Sequence, residues 1–414
     1  MPVSEAADAA LVDAVARTFT ATPFDHVGVA VSGGGDSVAL LLLMQDWAAR
    51  SGARLSAVTF DHGLRAEAPQ EAAMVARLCR ERGIAHDILT WAGWNGQGNL
   101  QASARMARYR EIAQWARQRG VEAVGLGHTC DDQAETFVMR LARKAGSDGL
   151  RRMASRFERY GMEWVRPLLG VERSMLRRYL ERQGVGWVED PSNADDGFER
   201  VRVRKALEVL APLGIDAQVL GAVAENLASE NSLLRQTVQQ ALHGKVVERC
   251  GALSLSHDDF QALHSEVRRR FLNAALQWIS GAQYSPRSTA QGGFEAVLLG
   301  RGTQTLGGVI GWVAQDRVWL AREYQAVMDL HGSPFDGRWQ IEGPLDGMDI
   351  RALGAEGLQQ CPDWRDLGLP RRVLLSLPAV WDAGRLVWSP VSTAETRHKA
   401  VRIGPSFENW LCRD

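Results

Sequence analysis

Residues 26–44 read HVGVAVSGGGDSVALLLLM, and this stretch decides how the rest of the chain is read. Residues 27–31 form a short apolar, β-branched run, which predicts a buried strand, and residues 38–44 are apolar and rich in good helix formers. Between them lie Ser32, Gly33, Gly34, Gly35, Asp36 and Ser37. A strand that turns through three glycines straight into a helix presents a row of backbone N–H groups at the positive end of the helix dipole. An anion is the natural occupant, so the spacing predicts a phosphate-binding loop.

A Walker A loop needs a lysine after its glycines to reach the β- and γ-phosphates. None follows here, which disfavours kinase and GTPase chemistry. The string S-G-G-x-D-S resembles instead the pyrophosphate loop (PP-loop) of the ATP pyrophosphatases, which cleave ATP between the α- and β-phosphates. The resemblance implies that the loop amides, with Ser32 and Ser37, hold the departing pyrophosphate and that Asp36 helps to hold Mg²⁺. A glycine-rich turn alone is also an ordinary tight turn, but the six-residue string between a strand and a helix favours the phosphate reading.

Outward from the loop, the first half alternates strand and helix. A lead-in helix is predicted over residues 5–19, strands over 55–60, 85–91 and 121–127, and helices over 68–82, 99–119 and from Thr129 onward, with a glycine-rich loop at 95–98. Strands spaced by helices of this length predict an α/β fold with a doubly wound parallel sheet. Ligands of such sheets sit beyond the carboxyl ends of the strands. The polar strings fall at those ends: 32–37 after the first strand, 61–65 (DHGLR) after the second, and 127–136 (GHTCDDQAET) around the fourth.

In the last string Asp132 and Glu135 are three apart on a helix, so both carboxylates project from one face near its N-terminus. Such a pair can bind a cationic amine or Mg²⁺. Thr129 with Asp132 also fits a capping box, and first-turn acids complement the dipole. Capping accounts for Asp132 but gives no reason for Asp131 or Glu135, which favours the functional reading.

At 414 residues the chain exceeds what one compact core holds, so two or three domains are expected. An apolar fraction of 45% and a charged fraction of 23% are those of an ordinary soluble globular protein. No apolar run approaches the ~20 residues that span a bilayer, and the N-terminus is acidic and helical rather than a signal peptide; a cytoplasmic protein is expected. Five scattered cysteines with no CxxC pair argue against a zinc ribbon, an iron–sulfur cluster or a disulfide framework. The net charge of -1 conceals a basic block: residues 140–182 carry twelve Arg or Lys against five acids, and Arg200, Arg202, Arg204 and Lys205 follow. Eleven of those twelve are arginine, whose planar fork suits phosphate, and this makes RNA a candidate partner.

Five ordered strings, S-G-G-x-D-S, D-H-G-L-R, ARMARYR at 104–110, G-H-T-x-D-D-Q-A-E-T and D-P-S-N at 190–193, together resemble the tRNA(Ile)-lysidine synthetase family. The resemblance is tight over 27–205. It continues loosely through TLGG at 305–308, Arg322-Glu323 and LPAVWDAGRLVWSP at 377–390. That family uses ATP to adenylate the wobble cytidine of an isoleucine tRNA with a CAU anticodon, and free L-lysine then displaces AMP to give lysidine.

The resemblance therefore implies ATP and Mg²⁺ as cofactors, this tRNA and L-lysine as partners, and no membrane; it leaves room for a homodimer. It carries the nucleotide roles to residues 32–37 and His62, and lysine placement to Asp132 and Glu135, either of which can take the amine's proton. Asp131 is a second metal-ligand candidate beside Asp36. Arg108 and Arg110 are two apart on a helix and point to different faces, so which one meets the nucleotide stays open. Arg110 is carried as the catalytic candidate and Arg108 as a tRNA candidate. Arg200, Arg202 and Arg204 are candidates for the tRNA or the α-phosphate. One departure stands out: after R-L-x-R, where the family usually has glycine, this chain has Lys144, whose β-carbon restricts the backbone there.

A domain of this PP-loop class (adenine nucleotide alpha hydrolase-like) is expected over 1–212. A helical connector and small middle domain are expected over 213–330, and a small α+β domain over 331–414 with tRNA recognition as its role. Two rival readings exist. A PP-loop tRNA thiolase should carry paired cysteines for sulfur transfer, which are missing, and a non-catalytic RNA-binding protein has no need of the phosphate loop and the carboxylate pair.

Overall fold

The computed structural model describes residues 3–20, 23–63, 67–91, 100–189, 196–282, 286–392 and 397–412. The 95–98 loop, Leu64 and Arg65, and the D-P-S-N string at 190–193 lie outside the described residues. The chain divides into two compact units, Met1–Asn231 and Ser232–Arg413.

In the first unit α1 (Val3–Thr20), β1 (His26–Ala30), α2 (Gly35–Ser51), β2 (Arg54–Asp61), α3 (Ala68–Glu81), β3 (Ala85–Thr90), α4 (Leu100–Arg119), β4 (Ala123–Leu126) and α5 (Cys130–Ala142) follow the predicted alternation. Beyond them come α6 (Ser147–Leu150), β5 (Arg156–Arg159), β6 (Met162–Val165), α7 (Arg173–Arg182) and α8 (Glu199–Leu210). The sheet order is β3-β2-β1-β4-β6-β5, parallel throughout except for β5, which runs antiparallel to β6. The β5–β6 hairpin is an addition to the sequence reading. Its short strands sit inside the arginine block, and the turn is made by Tyr160 and Gly161, both at positive φ (55° and 65°), the pattern of a type I′ hairpin.

The sheet is covered on both faces. Leu11, Val15 and Phe19 of α1 pack with Leu40–Leu43 of α2 and Leu176 and Leu180 of α7 against Val27 and Val29 of β1. Tyr109, Ile112 and Trp115 of α4 pack with Val58, Val124 and Trp164. Residues 37–44 of α2 are all buried, which is why that stretch is apolar on every side rather than striped.

The second unit begins within α9 (Ala217–Leu242). It holds β7 (Val247–Arg249), β8 (Ala252–Ser256), β9 (Thr303–Leu306), β10 (Val309–Ala314) and β11 (Arg317–Arg322) in one antiparallel sheet of order β7-β8-β11-β10-β9. Helices α10 (His257–Ala262), α11 (Ser265–Ser280) and α12 (Ser288–Leu299) belong to the same region, and Phe260, Phe271 and Phe294 from them share a core with Leu253, Val318 and Leu320. The helices match the helical expectation for this region, and the sheet adds to it. Its strands are three to six residues long and joined by turns at Gly307-Gly308 and Gln315-Asp316, all with positive φ, so no strand gives a long alternating signal. A two-stranded and a three-stranded sheet complete the unit, with Trp312, Trp319, Trp339, Trp381 and Trp388 in one core. Among the described residues no single helix is long and apolar enough to cross a membrane.

Candidate active site

Strand β1 lies between β2 and β4, so the chain winds one way through β2 and β3 and then crosses over to β4 and β6. The crevice at the carboxyl ends of β1 and β4 is the switch point where doubly wound sheets bind ligands. A cavity of about 1300 Å³ opens there, walled by Val31, Phe60, Leu126 and the glycine-rich loop.

The loop is shaped by two glycines for different reasons. Gly33 has φ +89°, a conformation that side chains with a β-carbon rarely adopt. Gly127, at the end of β4, faces the loop so closely that a β-carbon would stand 3.0 Å from the Asp36 carbonyl oxygen and the Ser37 Cα. Ser37 Oγ donates to the Gly34 carbonyl at 2.9 Å, accepts the Ser32 N–H at 3.1 Å and lies 3.2 Å from Ser32 Oγ. Val188 N–H donates to the Gly33 carbonyl at 2.9 Å, and a β-carbon on Gly35 would meet the Trp187 ring at 3.3 Å. The first-turn N–H groups of α2, at Gly35 and Asp36, precede any carbonyl four residues back and sit at the dipole's positive end.

Beside the loop four carboxylates surround one guanidinium. Arg173, the first residue of α7, donates through Nε to Asp36 Oδ2 at 3.0 Å and through Nη1 to Glu135 Oε1 at 3.4 Å. It also lies 3.7 Å from Asp132 Oδ2 and 4.0 Å from Asp131 Oδ1, and its backbone N–H donates to Asp131 Oδ2 at 2.8 Å. Arg204 Nε donates to Glu135 Oε1 at 2.6 Å, and Arg200 Nε is 3.9 Å from Oε2. Glu135 is 1% exposed, yet its Oε2 has no hydrogen-bond partner. Asp132 does double duty: its Oδ2 accepts the Thr129 N–H and hydroxyl, forming the capping box, and the residue also lines the cavity. Burial raises the Asp36 carboxyl above its ordinary pKa, with Arg173 opposing. Burial acts the same way on Asp132, but there Arg173 and the Thr129 amide help to carry the net shift downward.

Around His128 and Tyr109 the site gathers three arginines. Arg166 Nε donates to His128 Nδ1 at 3.2 Å, its Nη1 donates to the Ala154 carbonyl at 2.6 Å, and its guanidinium stacks 4.2 Å from the Phe157 ring centre. Arginine only donates, so Nδ1 accepts and the imidazole proton sits on Nε2. Burial, then Arg166, pushes His128 down to about 3. Arg105 and Arg108 approach the face of the buried Tyr109 and line the cavity; neither they nor Arg166 is ion-paired among the described residues.

The cavity thus brings together Ser32, Gly34, Gly35, Asp36, Ser37, Arg108, Asp131, Asp132, Glu135, Arg200 and Arg204. Four of the residues singled out from sequence lie off its wall. Gly33 shapes the turn from behind, and His62 follows Asp61, whose Oδ1 accepts the Gly63 N–H at 2.8 Å. Arg110 is exposed and pairs with Glu111 at 3.1 Å, so of the two arginines on α4 the cavity takes Arg108. Arg202 points away from Arg200 and Arg204 and donates to the Asp196 and Gly197 carbonyls at 2.7 and 3.0 Å. Residues 200 and 204 are one helical turn apart, whereas 202 lies on the opposite side.

Arg173, Arg105 and Arg166 are members of the site that sequence reasoning missed, and His128 stood in the 127–136 string without a role of its own. Arg173 carried a signal, since a cation at the first position of a helix opposes the dipole and has to be held by something else.

A glycine-rich loop at the switch point of a doubly wound sheet, with Asp36 in the first turn of the following helix, defines the PP-loop class of ATP-using enzymes, and residues 8–210 match the PP-loop domain family. Among curated proteins, a tRNA(Ile)-lysidine synthase of Ruegeria pomeroyi is 43% identical over 387 residues, covering 92% of each chain. One of Bradyrhizobium diazoefficiens is 47% identical, covering 60% of this chain and 71% of its own. The chain belongs to the tRNA(Ile)-lysidine synthase family. Among solved structures, a U34-tRNA thiolase of Methanococcus maripaludis matches with a TM-score of 0.46 at 16% identity, over 54% of this chain and 80% of its own.

Proposed function

We propose that this chain is a carbon–nitrogen ligase that converts the wobble cytidine of an isoleucine tRNA with a CAU anticodon to lysidine, consuming ATP and free L-lysine and releasing AMP and diphosphate. The observation that carries this reading is that the PP-loop and the Asp132–Glu135 pair face one cavity at the switch point. Activation and amine transfer can then occur on one bound base.

A pyrimidine carbonyl oxygen is a poor leaving group until it is esterified. In the first step the cytidine O2 attacks the α-phosphorus and the α–β bridge breaks. The loop amides, Ser32 and Ser37 stabilise the charge that develops on the departing pyrophosphate. The hard oxygen donors of Asp36 and Asp131 fit Mg²⁺, which is commonly held by one or two carboxylates together with substrate phosphates; bound there it supplies charge neutralisation at the phosphates. In the second step the lysine amine attacks C2, and the C2–O bond breaks to release AMP. Four carboxylates facing Arg173, Arg200 and Arg204 leave one negative charge unmet, and Glu135 Oε2, which accepts no hydrogen bond, offers an acceptor for the ammonium. Asp132 or Glu135 takes the amine's proton before attack. His128, neutral with its proton on Nε2, is a donor available to the base or the phosphate.

The arginines at 177 and 178 also line the cavity and suit tRNA phosphates. Recognition of tRNA features beyond the anticodon is assigned to residues 331–414, because a CAU anticodon is shared with methionine tRNA. The reaction is assigned to the cytoplasm, where ATP, tRNA and free lysine meet. Diphosphate and AMP release by the purified chain with ATP and Mg²⁺ tests the reading: diphosphate release should require tRNA, AMP release should require tRNA and lysine together, and Asp36→Asn should abolish both while Glu135→Gln abolishes AMP release. Normal rates in both variants at saturating lysine and tRNA contradict the assigned roles.

A further inference from the structure

We propose that Arg173 is an internal counter-ion, which in the substrate-free enzyme stands where the reaction's cations belong and withdraws when they bind. The inference rests on the proposed function and concerns the class of ligand that displaces this side chain: a divalent metal at Asp36 and an alkylammonium at Glu135.

Three observations carry it. The guanidinium contacts both halves of the site at once, Asp36 at 3.0 Å on the phosphate side and Glu135 at 3.4 Å on the amine side, and so stands between each carboxylate and an incoming cation. It is not needed to hold Glu135, whose Oε1 is already bound more closely by Arg204 at 2.6 Å, while the buried Oε2, 3.9 Å from Arg200 Nε, accepts no hydrogen bond. Finally, Arg173 is the first residue of α7, where the helix dipole repels a cation. The side chain is therefore held in place by the carboxylates and by nothing in its own helix, and it loses that hold once they are neutralised. Burial opposes its charge, but Asp36, Asp132 and Glu135 outweigh this and keep the guanidinium protonated.

The charges follow the same logic. With Arg173 in place four carboxylates face three guanidiniums, and its withdrawal leaves two negative charges for incoming cations. Without any such occupant, empty carboxylates this close would repel one another, so the residue protects the substrate-free fold at the expense of substrate affinity.

The test uses the full chain as wild type, Arg173→Gln and Arg173→Lys. Mn²⁺ binding in the presence of ATP is read by electron paramagnetic resonance, L-lysine binding by equilibrium dialysis, and ligand-free stability by thermal melting. Arg173→Gln should melt lower without ligand and yet bind Mn²⁺ and L-lysine roughly fivefold tighter, the size of one modest ion-pair term. Arg173→Lys, which keeps the charge but loses the fork, should lie between the two and decides the matter if the glutamine variant does not fold. A residue that recognises substrate would lose affinity on substitution and a merely structural one would leave it unchanged; either result overturns the proposal. A wild type that binds no lysine contradicts the proposed function, and the Mn²⁺ arm still decides on Arg173.

Discussion

At the end of α5, Lys144 adopts φ 57° and donates its N–H to the Leu141 carbonyl at 2.9 Å. The position takes the left-handed turn that a glycine adopts freely. A β-carbon in this region costs about 1 kcal/mol. Lys144→Gly is therefore expected to raise stability by up to ~1 kcal/mol in urea unfolding, a gain reduced by glycine's freer unfolded chain; a loss would contradict the account. His128 gives a pH signature. Its folded pKa, near 3, lies below the ordinary 6.5, so between those values the unfolded chain takes up a proton that the folded chain refuses. The associated stability is complete above about pH 6.5 and is lost as pH falls, at up to ~1.4 kcal/mol per pH unit. His128→Gln should make the loss between pH 7 and pH 5 smaller by up to ~2 kcal/mol, read by unfolding at both pH values. Equal losses in the two proteins would mean that burial and Arg166 together do not hold the ring neutral.

Among the elements, the β4–loop contact is the most exacting. A β-carbon at Gly127 would meet backbone atoms of Asp36 and Ser37, which cannot swing aside as a side chain can. Gly127→Ala should cost about 1–3 kcal/mol and shift the loop, lowering the rate of diphosphate release more than the affinity for tRNA; an unaltered rate would show that the loop tolerates the shift. This contact was invisible in the sequence, because Gly127 pairs with residues ninety positions away. The elements around it were legible for a definite reason. The first four strands and their helices carry strong periodic signals ended by glycines at 83 and 120, and the loop and the α5 string lie at strand ends, where chemistry is expected. The β5–β6 hairpin and the β9–β11 strands were not legible, because their strands are short and depend on paired positive-φ turns. Of the residues carried by local strings, the cavity gathers most of the glycine-rich loop and the acids of the α5 string, while His62 and Arg110 lie off its wall. Arg173 was lost in a run of twelve basic residues, most of which form ordinary surface contacts, such as Arg152 with Glu225 and Arg182 with Asp8. The choice between Arg108 and Arg110 needed the structure, since spacing says only that they face apart.

For the molecule as a whole, the sheet order 3-2-1-4-6-5 explains why one cavity holds two chemistries. Winding outward from β1 in both directions leaves its carboxyl end uncovered. The loop after β1 lies next to the loop after β4, so the phosphate-binding turn and the carboxylate pair are adjacent in space although they are a hundred residues apart in the chain. The central claim is that this adjacency serves adenylation and amine transfer on a single base. Its most direct test is mass analysis of nucleosides from isoleucine tRNA bearing a CAU anticodon after incubation with the full chain, ATP, Mg²⁺ and L-lysine. The account predicts that the wobble cytidine gains the mass of lysine less one water, and only when ATP and lysine are both present. An unmodified cytidine despite ATP cleavage, or sulfur at the wobble base when a sulfur donor is supplied, would contradict it.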